Sequence, residues 1–268
     1  MINKKYLKNL RSKETNKEND FIFDLYNERI IDSLDIINVN FKKILILGNH
    51  GKKITKFIHE KYKDNSLTIY DLSLNCFDLD DWEKEKEKYD LIISNFYLFL
   101  SENLDNLFQK IINSLNSNGF FIATMPTKEN FNSLKEAMIK TDIELYGGAY
   151  NRFNQFLNLE DIIKLLKNNN FKIPLVNLEN IKLEYKKLDN LLSDIRSMKL
   201  SYFNEDKKQK FESRHYFVKL EKNFKKNNQN NYIISTNFYI VSGWKDHHSQ
   251  QKPLKPGQAK NSLKEFLK

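Results

Sequence analysis

The chain has 268 residues, a formal net charge of +9, 40% hydrophobic residues and 13% aromatic residues. That length suits one large domain, and the apolar share suffices for a sizeable core. No run approaches the roughly 18 apolar residues of a membrane span, and the basic start MINKKYLKNLRSKE lacks the apolar stretch of a secretory signal.

The expectation is therefore a cytoplasmic protein, with any membrane contact transient and made through a partner. Excess positive charge would suit an acidic partner. The lysines, however, alternate with acids, as in Trp82-Glu83-Lys84-Glu85-Lys86-Glu87-Lys88, which reads as a solvated face. Denser basic patches at 207–210 and 222–226 come without a nucleic-acid motif, so no nucleic-acid partner is expected.

Residues 1–20 are mostly polar and read as a flexible segment. From Phe21 to Ile37, Phe21, Leu25, Ile30, Ile31 and Leu34 recur at helical spacing. Lys43 to Leu47 is a continuous apolar run stopped by Gly48, as in a parallel strand buried on both faces. A helix over 53–62 with Ile54, Phe57 and Ile58 on one side leads to a strand over 67–70 that ends at Asp71. Cys76, the single cysteine, excludes an intramolecular disulfide or a cysteine-built metal centre.

Tyr89 to Ser94 reads as the next buried strand. Leu104, Leu107, Phe108, Ile111, Ile112 and Leu115 mark an amphipathic helix. Asn116-Ser117-Asn118-Gly119 turns the chain into a strand over 120–124. Strand, helix and strand in this order predict right-handed crossovers and a parallel sheet.

Further helices are expected over 130–139 and 159–167, a strand near 172–177, a helix carrying Leu188, Leu191, Leu192, Ile195 and Met198, a charged helix over 207–222, and a late strand over 232–241. The domain reading is one α/β domain over 21–268, with a helical insertion at approximately 186–230 and an ordered C-terminal peptide at 243–268.

In an open parallel sheet, ligands bind beyond the carboxyl ends of the strands. Gly48-Asn49-His50-Gly51, Asp71, Ser94-Asn95-Phe96 and the stretch after Thr124 should meet there. Two glycines permit a tight turn or close backbone approach, and an acid ending the second strand suits a ribose diol. A structural turn alone would explain the same glycine pair.

These segments resemble the class I S-adenosylmethionine (SAM)-dependent methyltransferases. The match lies in ILILGNHG, IYDLS, YDLIISNFYLFL and LFQKIINSLNSNGFFIATM. YGGAYNRFNQFLNLEDIIKLLKNNNF, LDNLLSDIRSMKL and YIVSGWKDHHSQQKPLKPGQAK are similar to the bacterial relatives of a mitochondrial respiratory complex I assembly factor with arginine hydroxylase activity. That group is itself akin to the biotin-pathway carrier-protein methyltransferase.

The resemblance implies a doubly wound methyltransferase-like sheet with SAM as cofactor and a complex I subunit as partner. It implies that Gly48 and Gly51 shape the cofactor turn, that Asp71 holds ribose and that Asn95 lies near the transfer site. Methyl transfer there would rest on proximity and orientation; no catalytic residue is assigned.

Departures run against that reading. Ile46 stands where the family has an acid, and His50 where it has a glycine. Only 18 residues separate Asp71 from Asp90, too few for a helix, a strand and their connections. Either Asn75-Cys76-Phe77 forms an abbreviated strand, or that strand has gone. Asp78, Asp80 and Asp81 are weak candidates for the adenine.

Two function classes follow: a SAM-dependent methyltransferase, or a non-catalytic assembly or scaffolding protein with a degenerate cofactor site. A dinucleotide-dependent oxidoreductase is disfavoured because the three-glycine fingerprint is missing.

Among single residues, His50 reads as a base or as a plain loop residue, and Phe96, Tyr97 and Phe99 as a pocket wall. Arg152 has a donor fork suited to a carboxylate or phosphate, though a surface salt bridge is an equal reading; Arg196 is a second such candidate. Trp244, His247 and His248 do not make a metal site, since adjacent histidines diverge and no acid completes the set. The expectation is instead that 243–257 packs back on the domain and that Trp244 and His248 contribute to the substrate or partner surface.

Overall fold

The buried apolar runs become the centre of a six-stranded sheet in the computed structural model, which describes residues 2–12, 21–48, 51–72, 77–83, 88–197, 200–208 and 211–250. The strands are β1 (Lys43–Leu47), β2 (Ser66–Tyr70), β3 (Tyr89–Asn95), β4 (Leu115–Pro126), β5 (Lys172–Tyr185) and β6 (Tyr232–Trp244). Their order is β2-β1-β3-β4-β6-β5. The first four are parallel, whereas β6 runs antiparallel to both β4 and β5. From β1 the chain moves outward to β2 and then crosses to β3, so the crevice at the end of β1 is the topological switch point.

Helices cover both faces: α1 (Lys4–Ser12), α2 (Phe21–Asp35), α3 (Gly51–Lys61), α4 (Leu104–Ser114), α5 (Asn132–Tyr146), α6 (Leu159–Asn168), α7 (Leu188–Ser197) and α8 (Arg214–Asn223). Alternate β1 residues feed two cores. Ile44 and Ile46 pack among residues of α2, α3, α5, α7 and α8. Leu45 and Leu47 join residues of α1, α4 and α6. Burial on both faces explains why β1 shows an unbroken apolar run. In α4, Leu107, Phe108, Ile111 and Ile112 are buried, and Asn103 caps the helix by accepting from the Asn106 amide at 2.9 Å.

Several expectations need correction. Residues 4–12 form a helix, because Leu7 is buried in the α1-side core and Lys4 pairs with Asp78 and Asp80. β5 continues to Tyr185, held residue for residue by β6 as far as Tyr232. The helix expected from 207 begins at Arg214, where the Ser213 side chain accepts from the Tyr216 amide. Among the described residues no strand lies between β2 and β3; Asn75 and Cys76, like Asn49 and His50, lie outside the described residues.

Register sets the position of everything after β4. Pro126 at the end of β4 pairs with Phe238, and Phe120 at its middle pairs with Trp244. The end of β5 and the start of β6 therefore project past β4, carrying α7 and α8 to the carboxyl end of the sheet.

Candidate functional site

At the β1–β3 side of the crest, Gly48 follows β1 with φ +96°, a left-handed conformation that favours glycine. Its amide donates to the Tyr70 carbonyl at 2.7 Å, tying the ends of β1 and β2. Gly51 opens α3, and Asp71 is fully buried just after β2.

Across the switch point, Phe96 also adopts a left-handed conformation, with φ +48°. Its ring stacks on Tyr26 with centroids 4.2 Å apart, and its amide donates to the Thr124 carbonyl at 3.1 Å. Left-handed backbone costs an L-residue about 1–2 kcal/mol. Here it separates neighbouring side chains, sending Phe96 into the α2-side core and Tyr97 into the other.

Tyr97 is buried. Its hydroxyl accepts from the Leu72 amide at 2.7 Å and donates to the Phe77 carbonyl at 3.2 Å. Asn95 is buried as well: its Nδ2 donates to Asn27 Oδ1 at 2.8 Å, and its Oδ1 accepts from the Thr124 hydroxyl. Ile46, at the position of the family's acid, is core, which accounts for its apolar side chain.

SAM is the cofactor that the family and the fold imply, so these residues can be tested against it. A cofactor cradled by the β1 turn needs the bare face of Gly48. A Cβ built on Gly48 would lie 2.8 Å from Tyr97 Cγ, so the tyrosine ring already covers that face. On the α1 side of Tyr97, a cavity bounded by Lys4, Leu7, Leu72, Phe77 and Leu100 holds about 10 Å³. That is room for about one water. In this arrangement the described residues do not fit the cofactor.

Helix α1 closes the same half. Lys4 Nζ lies 2.8 Å from Asp78 and 2.5 Å from Asp80, and Asp80 also accepts from the Ser101 hydroxyl at 2.5 Å and the Glu102 amide at 3.1 Å. Burial alone would raise the Asp80 carboxyl, but Lys4, Ser101 and the Glu102 amide outweigh it and hold it below its ordinary value. Asp78 and Asp80 are thus bonded to α1, while Asp81 is exposed.

The other half of the crest is open. A cleft of about 590 Å³ lies between α1, α5, α7, α8 and the segments 151–153 and 200–208. Arg152 lines it, but its fork is taken: Nε and Nη2 donate to the fully buried Asp142 at 2.8 and 2.5 Å, and Nη2 also donates to Glu212 at 2.6 Å. Lys208 Nζ and the Tyr146 hydroxyl complete Glu212 at 2.8 and 2.6 Å. The guanidinium also lies 4.7 Å from the Tyr216 ring centroid, within cation–π range.

Burial would lower the pKa of Arg152, yet Asp142 and Glu212 raise it overall. Arg152 therefore braces the wall rather than offering its fork to a ligand. Arg196 is exposed, lines the cleft and makes no ion pair among the described residues. Sequence reading missed Asp142, Tyr146, Lys208 and Glu212. Asp142 sits in the polar run Lys140-Thr141-Asp142-Ile143-Glu144, which gives no local sign of its burial.

Trp244 and His248 belong to neither half. Trp244 packs on Phe120 in the middle of β4, ring centroids 4.6 Å apart, six residues before the strand's carboxyl end. Beyond it, the Lys245 amide donates to Gly119, and Gln250 Nε2 donates to Asn118 at 3.0 Å. Residues 243–250 therefore dock on the first half of β4, where the sequence predicts a turn over 116–119, away from the crest; 251–257, the rest of the expected docked segment, lie outside the described residues. His248 is exposed, with its ring 4.0 Å from that of His247. No group of three metal-ligating residues occurs among the described residues.

Comparisons with known proteins agree with the topology. A family model described as a methyltransferase domain matches residues 34–175, more than half of the chain. The Dictyostelium discoideum mitochondrial arginine-hydroxylase NDUFAF5 is 30% identical over 190 residues, covering 68% of this chain and 42% of that protein. Its Homo sapiens counterpart is 22% identical over 265 residues, covering 93% and 77%. In the first three curated relatives, the match spans about half of their length.

A Bacillus halodurans crystal structure assigned to the methyltransferases superposes with a TM-score of 0.50 at 12% identity, covering 82% of this chain and 98% of that one. Among the described residues no helix is long and apolar enough to cross a membrane. By the matched domain and the sheet order together, the chain belongs to the methyltransferase-domain family.

Proposed function

We propose that this methyltransferase-domain protein acts in respiratory complex I assembly by docking a segment of a subunit in the crest cleft. The carrying observation is the cleft of about 590 Å³ that stands open on the α5–α8 side. Tyr216 lines the open side, its ring under the Arg152 guanidinium. Arg196, exposed in the cleft and without an ion pair among the described residues, could meet a carboxylate on that segment. The curated relatives carry the name of a mitochondrial arginine-hydroxylase.

This reading favours a scaffolding role over SAM-dependent methyl transfer, because the closed half leaves the cofactor no bare glycine face. It places the protein in the cytoplasm, meeting a membrane only through its partner. The test is crosslinking and co-purification of the full chain from its own cells. A complex I subunit should be recovered, and Arg196→Glu should reduce its recovery. Repeated absence of such a subunit, or recovery indifferent to Arg196→Glu, would overturn the proposal.

A further inference from the structure

Tyr97 does more than line a wall. It follows the left-handed Phe96, which turns the chain so that consecutive rings enter opposite cores. The Tyr97 ring then lies over Gly48, with Cγ, Cβ and Cδ2 all at 2.8–3.0 Å from where a glycine Cβ would stand. Its hydroxyl reaches the first amide beyond Asp71, that of Leu72, and the carbonyl of Phe77. One side chain thus bridges the turn after β1 and the segment after β2. A nucleoside bound across a switch point lies along that strip, with a diol near the acid that ends the second strand.

We infer that Tyr97 is a built-in occupant of the cofactor strip, its ring taking the Gly48 face and its hydroxyl taking the Leu72 amide, so that SAM is excluded. The surroundings are consistent with a finished interior. Leu7 from α1 and Leu100 pack in the same core, and Phe77 stacks on Tyr70 with centroids 4.4 Å apart. Displacing the ring would leave a buried amide to be satisfied anew, a cost of about 1–3 kcal/mol when no replacement acceptor arrives.

The inference concerns this strip alone and stands whether or not a complex I subunit is the partner. Calorimetric titration of the full chain with SAM and with S-adenosylhomocysteine tests it. Wild type and Tyr97→Phe, which keeps the ring, should show no binding at millimolar ligand. Tyr97→Ala should bind, at least about tenfold more tightly than the wild-type limit. Binding by wild type would overturn the inference, as would a folded Tyr97→Ala that binds no better. Should Tyr97→Ala lose its cooperative unfolding transition, Tyr97→Leu serves as the same arm. Amide exchange gives a ligand-free readout: Leu72 should lose protection by about tenfold in Tyr97→Phe, and unchanged protection would refute the hydroxyl's part.

Discussion

On the β1–β3 side of the crest, described aromatic and aliphatic side chains from three chain segments pack together, with the Tyr97 ring over Gly48. On the β5–β6 side, a charged hub braces the helices and a cleft stays open. Apolar side chains can pack until little room remains. A bidentate ion pair instead fixes the separation and orientation of the segments it joins. The contrast shows how a methyltransferase sheet can keep its topology while the use of its crest changes: its ligand sites depend on a few side chains above the strands, which can change without disturbing the buried runs below.

The hub offers the strongest way to break this contrast. Arg152→Ala would strand the fully buried Asp142 carboxylate, and losing one partner of a buried pair costs about 3–5 kcal/mol. Denaturant unfolding should show that loss. Arg152→Lys should recover part of it, since an ammonium cannot serve Asp142 with a two-pronged fork and reach Glu212 as well. A loss below about 1 kcal/mol, as for an exposed pair, would mean that the hub does not hold the wall.

The closing helix on the other side should respond next. Leu7 is 1% exposed in the core that also holds Tyr97. Leu7→Ala should cost about 2–3 kcal/mol, toward the low end for such truncations because α1 can detach locally. Amide exchange over residues 4–12 should rise while α5 and α8 stay protected. Equal loss on both sides would show that the two halves are not separate units.

Most of the sheet was legible because burial on both faces writes itself as unbroken runs: KILIL, LIIS and FFIAT became the centres of β1, β3 and β4. Gly48 and Asp71 were placed at the crest by their positions at strand ends. What escaped was whatever depends on distant partners. Helix α1 reads as a polar stretch until Asp78 and Asp80 meet Lys4. Arg152 looks available until Asp142, ten residues away across a turn, takes its fork. Tyr97 looked like a pocket wall, and nothing in its local sequence shows that its ring covers Gly48. Trp244 was expected at the substrate or partner surface through the packing of 243–257; antiparallel pairing of β6 sets it away from the crest.

Asn95 gives a smaller test of the junction between the halves. Its amide joins Asn27 on α2 to Thr124 on β4. Asn95→Ala leaves both partners buried with a bond missing, and should cost about 1–2 kcal/mol in denaturant unfolding. Asn95→Asp, which removes the donor to Asn27 Oδ1 and sets a carboxylate against it, should cost more than Asn95→Ala. The reverse order would show that the Asn27 contact is dispensable.

Acid should separate the two halves with the smallest effect. In the folded protein Glu212 is pushed upward by burial but pulled down further by Lys208, Tyr146 and Arg152, so its carboxyl lies below the ordinary 4.5. Asp80 likewise lies below its ordinary 3.8, where Lys4, Ser101 and the Glu102 amide outweigh burial. A group with a lowered folded pKa binds fewer protons folded than unfolded across that interval. Its stabilisation is complete above the unfolded value and drains away as pH falls through the folded one. Glu212's contribution therefore begins to fade below 4.5, and Asp80's only below 3.8, so acidification should loosen the cleft wall before it frees α1. Both carboxylates sit near solvent, which screens the effect and keeps it small. Amide exchange at stepped pH should show α8 losing protection before residues 4–12. Glu212→Gln should flatten the pH dependence below 4.5 without moving the α1 response. If α1 loosens first, or if Glu212→Gln leaves the slope unchanged, the hub is not what keeps the cleft open.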